Sequence, residues 1–224
     1  MAEQVLTRVR VTPPRGDGPG YPRLTPVASA PRVYVQDGFA TDAECDHLLA
    51  FAADRAELAA LGIPVKADST GFSFEYPLAV DPVATALADR IETTLGVRNA
   101  LGGTLRFRLY GPGEAHPPHV DTFRIGDLDL VATAIVALTD VAAGGATAFP
   151  HAVPPLAVRP RRGRLLAWLN NCPDGSPDPL SFHEGQAVES GEKGTITLFA
   201  YADPRDCALL REGPAALRPP GSGA

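Results

Sequence analysis

A chain of 224 residues fits one domain that can bury a core without disulfide or metal staples. Its hydrophobic fraction of 45%, charged fraction of 21% and formal net charge of -6 are those of a globular protein with no overall attraction to nucleic acid or anionic membrane. Three scattered cysteines without a CxxC pair argue against a disulfide framework or a thiolate zinc site, and no apolar run suits a signal peptide or membrane span. The expected setting is the cytoplasm, as a monomer or homodimer, with neither nucleic acid nor membrane as partner.

Residues 1–30 are rich in Pro and Gly and lack periodicity, which predicts an irregular N-terminal arm. Arg32 to Gln36 alternates and predicts a first strand. Thr41-Asp-Ala-Glu44 is a capping box, and Leu48, Leu49, Phe51, Ala52 and Leu58 supply an apolar stripe, so a helix is predicted over 42–61. Asp81-Pro82 pairs an N-cap with proline at the first helical position. Ala86, Leu87, Ile91 and Leu95 continue at helical spacing to Gly96, which can end that second helix.

From Leu101 the texture changes to short β-branched or aromatic runs separated by Gly, Pro and Asp. Candidate strands are 103–110, 117–121, 130–138, 146–149, 155–159, 164–170, 181–183, 186–188 and 194–201. Such regular spacing predicts a barrel or sandwich. The domain is therefore read as 31–203, with a helical lead-in over 31–100 and a β core over 101–203. A mobile C-terminal tail is expected over 204–224.

Three features carry chemistry. In a strand, His119 and Asp121 project from the same face, so imidazole and carboxylate address one point. The pair is weak alone, since five His and sixteen Asp make an HxD easy to meet by chance. His183 could add a second imidazole from a distant strand, completing the two-histidine, one-carboxylate facial triad that leaves Fe(II) three open positions. Taken singly it reads more readily as a hydrogen-bonded structural residue. Lys193, ten residues on, is either a solvated turn lysine or a buried cation for the distal carboxylate of an iron-chelating 2-oxo acid.

Together these residues resemble the catalytic domain of prolyl 4-hydroxylase-type 2-oxoglutarate/Fe(II) dioxygenases over Leu105 to Tyr201. The matching blocks are Tyr110, Gly113, His119 and Asp121; Thr133, Asp140-Val141, Gly144-Gly145, Thr147 and Phe149-Pro150; Val158, Pro160, Gly163, Trp168 and Asn170; and Asp178, Ser181, His183, Gly185, Val188, Gly191 and Lys193. The resemblance implies a mainly β fold with flanking helices, built on a double-stranded β-helix (jelly-roll) core. It implies iron ligation by His119, Asp121 and His183, and Lys193, Tyr110 and Thr147 around the distal carboxylate of 2-oxoglutarate. O2 is then the third reactant, succinate and CO2 the by-products, and hydroxylation of an unactivated C–H bond the outcome.

Resemblance is closer at the cofactor end than at the substrate end. His116 stands where relatives often carry Tyr, Leu130 near a common Arg, and Gly194 and Phe199 where Trp is frequent. The expected substrate is an amino acid, a peptide residue or a small natural-product intermediate. Arg108, Arg124, Arg161 and Arg162 could meet an acidic group at the mouth, or form a solvated face. A different class, a metal-binding β-barrel acting as sensor or scaffold, would have no need of a buried Lys193.

Overall fold

The computed structural model describes residues 24–207 and Leu210; most of the expected N-terminal arm and C-terminal tail lies outside them. In chain order the elements are β1 (Thr25–Ser29), β2 (Arg32–Gln36), α1 (Asp42–Ala53), α2 (Arg55–Ala60), β3 (Val65–Asp68), β4 (Gly71–Pro77) and α3 (Pro82–Leu95). There follow β5 (Thr104–Tyr110), β6 (His116–His119), β7 (Arg124–Ile125), β8 (Leu128–Ala137), β9 (Ala143–Gly144), β10 (Thr147–Phe149) and β11 (Leu156–Val158). The last are β12 (Leu165–Leu169), β13 (His183–Gly185), β14 (Val188–Ser190) and β15 (Lys193–Ala202).

Local chemistry sets the helix ends. Thr41 and Glu44 close a reciprocal capping box, Thr41 N donating to Glu44 Oε2 at 2.8 Å and Glu44 N to Thr41 Oγ1 at 3.2 Å. The single helix expected over 42–61 is two. Asp54 leaves helical geometry at ψ 86°, and its carboxylate accepts from Glu57 N to start α2. At α3, Asp81 accepts from Val83 N and Ala84 N, Pro82 follows, and Gly96 ends the helix at φ 62°. The same carboxylate accepts from the buried Tyr76 hydroxyl and from His47 Nε2, tying α3 to β4 and α1.

A large antiparallel sheet runs β1-β2-β12-β8-β15-β5-β4-β3, with β7 added on β8, and a smaller one runs β11-β10-β13-β6. Helices α1 and α3 cover one face of the large sheet: Leu48, Ala52, Leu87, Ile91 and Leu95 pack with Phe74, Phe107, Leu165, Ile196 and Leu198. Burying each such leucine or phenylalanine contributes about 1.5–3 kcal/mol. The opposite face meets the small sheet around Phe149 and Trp168. Alternation along β15 divides its side chains accordingly: Ile196, Leu198 and Ala200 join the helical core, while Lys193, Thr195, Thr197 and Phe199 face the cavity between sheets. This is the mainly β, helix-flanked arrangement of a jelly-roll core.

Four features differ from the expectation. The stretch over 31–100 is not only helical after the expected β2, because β3 and β4 are also strands of the large sheet. Thr25–Ser29, expected in the irregular arm, pairs with β2. Where a strand was expected over 181–183, Asp178 caps a 3-10 turn over Pro179–Ser181 and the strand begins only at His183. At the start of the expected tail, Cys207 and Leu210 are buried, and Arg32 Nη1 donates to the Leu210 carbonyl at 2.7 Å. Among the described residues no helix is long and apolar enough to cross a membrane.

Candidate active site

His119 ends β6 and His183 begins β13, and the two are direct antiparallel partners across the small sheet. Asp121 follows β6 by two residues and reaches the same point. The ligating atoms of all three lie within 4.8 Å of one another. His119 Nε2 is 3.3 Å from Asp121 Oδ1, and His183 Nε2 is 3.8 Å from Asp121 Oδ2. No other group of three such residues stands together among the described residues.

Both imidazoles are oriented by the same device. His119 Nδ1 donates to the Pro117 carbonyl and His183 Nδ1 to the Ser181 carbonyl, each at 2.8 Å. A carbonyl only accepts, so the proton sits on Nδ1 and the Nε2 lone pair turns toward the other ligands. Asp121 accepts from Thr133 Oγ1 at 2.7 Å, and Asn170 Nδ2 donates to that hydroxyl at 3.0 Å. The relay fixes the carboxylate from β8 and from the residue after β12. Sequence reasoning matched Thr133 and Asn170 as family positions without giving them this task.

The electrostatics suit a divalent cation. Burial works to raise the Asp121 carboxyl, but the facing His119 and His183 imidazoles and the Thr133 hydrogen bond outweigh it, so Asp121 stays ionised. Burial pushes the His183 imidazole down, which keeps it neutral and ligating. The neighbouring Asp121 carboxylate raises His119 against its partial burial. One carboxylate and two imidazoles whose Nε2 atoms face it, with open space on one side, make a fitting donor set for Fe(II).

Lys193 opens β15 opposite Tyr110 of β5, with its Nζ 5.4 Å from that ring centre. It is buried, with 6% of its surface exposed, and no carboxylate lies within ion-pair distance among the described residues. Burial alone pushes its ammonium down to about 8. Thr139 holds the strand start, accepting from Gly194 N at 2.9 Å and donating to the Glu192 carbonyl at 2.8 Å. A Cβ on Gly194 would stand 3.0 Å from Leu49 Cδ2, so glycine there lets α1 pack against this strand. Burial raises the Tyr110 phenol, partly opposed by the Arg108 charge.

Thr147 completes this end from β10. The turn before it needs glycine: Gly144 has φ 73°, and a Cβ there would lie 2.3 Å from the Ala187 carbonyl oxygen. The triad, Lys193, Tyr110 and Thr147 line one cavity, shared with Arg108, His116, Thr133, Ile135, Trp168, Thr195 and Phe199. An unpaired ammonium in a cavity whose other end offers a metal-type donor set fits a dicarboxylate that chelates at one end and forms an ion pair at the other.

Of the four arginines considered for the mouth, only Arg108 lines this cavity. Arg124 pairs with Asp129, Arg161 with Asp37, and Arg162 with Asp42 and Asp46. Leu130 is a core residue at 2% exposure, whereas His116 and Phe199 do reach the cavity. Burial is the main cause that pushes the His116 imidazole down to about 4.

Comparison with known proteins gives a consistent picture. The profile of the 2OG-Fe(II) oxygenase superfamily matches residues 105–201. Prolyl 4-hydroxylase 1 of Arabidopsis thaliana is 30% identical over 195 residues, 76% of this chain and 69% of its own. Probable prolyl 4-hydroxylase 4 of the same plant is 28% identical over 221 residues, 85% of this chain and 74% of its own. In fold, the chain is similar to the viral collagen prolyl hydroxylase of Paramecium bursaria Chlorella virus-1 in its 2-oxoglutarate complex. That likeness has a TM-score of 0.61 at 21% identity and covers 76% of this chain and 96% of the viral one.

Proposed function

Since the chain belongs to the prolyl 4-hydroxylase-type 2-oxoglutarate/Fe(II)-dependent oxygenases, and is a hydroxylase using Fe(II), 2-oxoglutarate and O2, we propose that it hydroxylates an unactivated C–H bond of an amino-acid-type substrate. That substrate is a residue of a peptide, a free amino acid or a small derivative of one, and succinate and CO2 leave as by-products. Bound iron and its cosubstrates supply the oxidising power that no side chain has.

What the protein contributes is position and charge. His119, Asp121 and His183 would hold the metal at the cavity. Thr133 and Asn170 keep the Asp121 carboxylate aimed. Lys193, Tyr110 and Thr147 seat the distal carboxylate of 2-oxoglutarate, so its keto acid end is presented to the metal in one orientation. Low dielectric around the buried ammonium strengthens that ion pair. Trp168, Ile135 and Phe199 keep the surrounding wall apolar and exclude water.

The observation that carries this reading is the buried, acid-free Lys193 in one cavity with the triad. A metal site alone gives no reason to bury a cation there. The likeness to prolyl 4-hydroxylases makes prolyl residues the first substrates to try. The experiment is anaerobic titration of the Fe(II) protein with 2-oxoglutarate, followed by a substrate screen that reads succinate release and checks each product for one added oxygen. A visible charge-transfer band and coupled succinate release are expected. No band on saturation with 2-oxoglutarate would sink the reading.

A further inference from the structure

The cavity holds a second cation that hydrogen-bonds the Tyr110 hydroxyl and that no carboxylate of the described residues neutralises. Arg106 and Arg108 both lie on β5, two residues apart on one face, and their neighbours on β4 separate their fates. Arg106 faces Glu75 and forms an ion pair with it, its Nε donating to Oε1 at 2.5 Å. Arg108 faces Ser73 on one side and Thr195 on the other, both neutral. No carboxylate lies within ion-pair distance of it among the described residues. Its half-buried side chain lines the cavity, where Asp121 is the one carboxylate of the lining.

Position along the strands sets what Arg108 can reach. The Tyr110–Lys193 rung of the β5–β15 ladder marks the distal-carboxylate end, and Arg108–Thr195 lies two residues away along the same strands. The Arg108 charge acts on Tyr110, His116 and His119, which puts it between the cosubstrate end and the histidine-lined rim.

Charge balance then gives the ligand. Asp121 offsets one of the two charges of Fe(II). The two carboxylates of 2-oxoglutarate offset the other iron charge and Lys193. Arg108 is left without a counter-ion, and a guanidinium fork matches a carboxylate bidentately.

We propose that Arg108 is a specificity-determining residue, and that the substrate carries a carboxylate close to the carbon that is hydroxylated. The carboxylate is that of a free amino acid or of an acidic residue beside the target in a peptide. This rests on the oxygenase reading above and adds the class of substrate to it.

Trp168 is the one tryptophan of the chain and lines the cavity, so its fluorescence reports occupancy. The test titrates full-length protein, held anaerobically with Fe(II) and saturating 2-oxoglutarate so that Lys193 is occupied. The probes are matched acid and amide pairs: L-proline against L-prolinamide, and acetyl-Pro-Asp-amide against acetyl-Pro-Asn-amide. The first pair detects a free amino acid and the second a peptide.

In at least one pair the acid should bind roughly 10- to 100-fold more tightly than its amide, the range of a charge-assisted hydrogen bond. Arg108→Gln should erase that preference and Arg108→Lys should restore part of it, while the 2-oxoglutarate midpoint moves less than about twofold. Three results would overturn the proposal. They are no preference for acid in either pair, a preference that survives Arg108→Gln, or an Arg108→Gln variant whose main defect is in 2-oxoglutarate binding. Should Arg108→Gln not fold, Arg108→Lys alone must weaken the preference. A wild-type protein that does not take up 2-oxoglutarate at all would instead remove the oxygenase reading beneath it.

Discussion

The two sheets that enclose the cavity are built differently, and the difference divides the work. The large sheet is backed by α1 and α3 and by a continuous apolar core from Leu48 to Leu198. The small sheet has four short strands and a satellite core around Phe149 and Trp168. Lys193, Tyr110, Thr133 and Arg108 stand on the large sheet, whereas both imidazoles and Thr147 stand on the small one. Charge that must be held away from solvent sits on the rigid, helix-backed layer. Ligands that must open toward substrate sit on the lighter one, where His119 keeps 30% of its side chain exposed. Asp121 joins the layers, since it extends from the small sheet and is held by Thr133 of the large one.

The largest effect should come from breaking the small sheet's contribution. His183→Ala removes one of three ligands and should abolish both iron retention and turnover, checked by metal content after desalting and by succinate release. The next comes from the large sheet. Lys193→Ala should raise the 2-oxoglutarate midpoint roughly 10- to 100-fold with iron still bound, read by titrating succinate release against cosubstrate. If that variant kept wild-type 2-oxoglutarate kinetics, the ammonium would have no place in the site.

The same lysine predicts a pH dependence. Burial holds its pKa at about 8 before an anion binds, so the ammonium is fully formed only below that value. Affinity for 2-oxoglutarate should therefore fall above pH 8, by at most about tenfold per unit. Binding near pH 8 should take up protons, because the arriving carboxylate favours the charged form. Calorimetry in buffers of different ionisation heat reads that uptake, and Lys193→Ala should not show it.

A smaller effect tests the joint between layers. Thr133→Val removes the hydroxyl that holds Asp121 and should weaken iron binding by about 10- to 100-fold at most, as loss of a partner to a ligand does. Unchanged metal affinity in this variant would mean that the carboxylate is fixed without β8. The smallest effect on the site should come from the helical backing. Asp81→Ala removes the α3 cap and leaves the buried Tyr76 hydroxyl without its acceptor, at a cost of about 2–4 kcal/mol. Its Tm should drop by about 5–15 °C, measured by thermal unfolding, while the 2-oxoglutarate midpoint of the folded protein stays near wild type.

Much of the architecture is legible in the chain because the forces involved are local. Thr41 with Glu44, Asp81 with Pro82, and Gly96 mark helix ends through bonds that span three or four residues. Alternation marks most strands of the β core to within one or two residues. The alternation of Phe72, Phe74 and Tyr76 with Ser73 and Glu75 also carried a strand signal. Its short length between two helices hid β4, and β3 exists only by pairing with it. Asp54 ends α1 although the apolar stripe runs on to Leu58, a case of a local carboxylate outweighing periodicity.

The sequence by itself determined which residue types were available to bind a metal and a dicarboxylate, because the two-residue spacing of His119 and Asp121 keeps them close and ordered motifs mark His183 and Lys193. Only the tertiary structure decided which charges are left uncompensated. Arg106, Arg124, Arg161 and Arg162 meet acids brought to them by pairing across the sheets or by packing, while Arg108 and Lys193 meet none and face the cavity. An ion pair depends on distances between residues as far as 127 positions apart, and no local pattern encodes those distances.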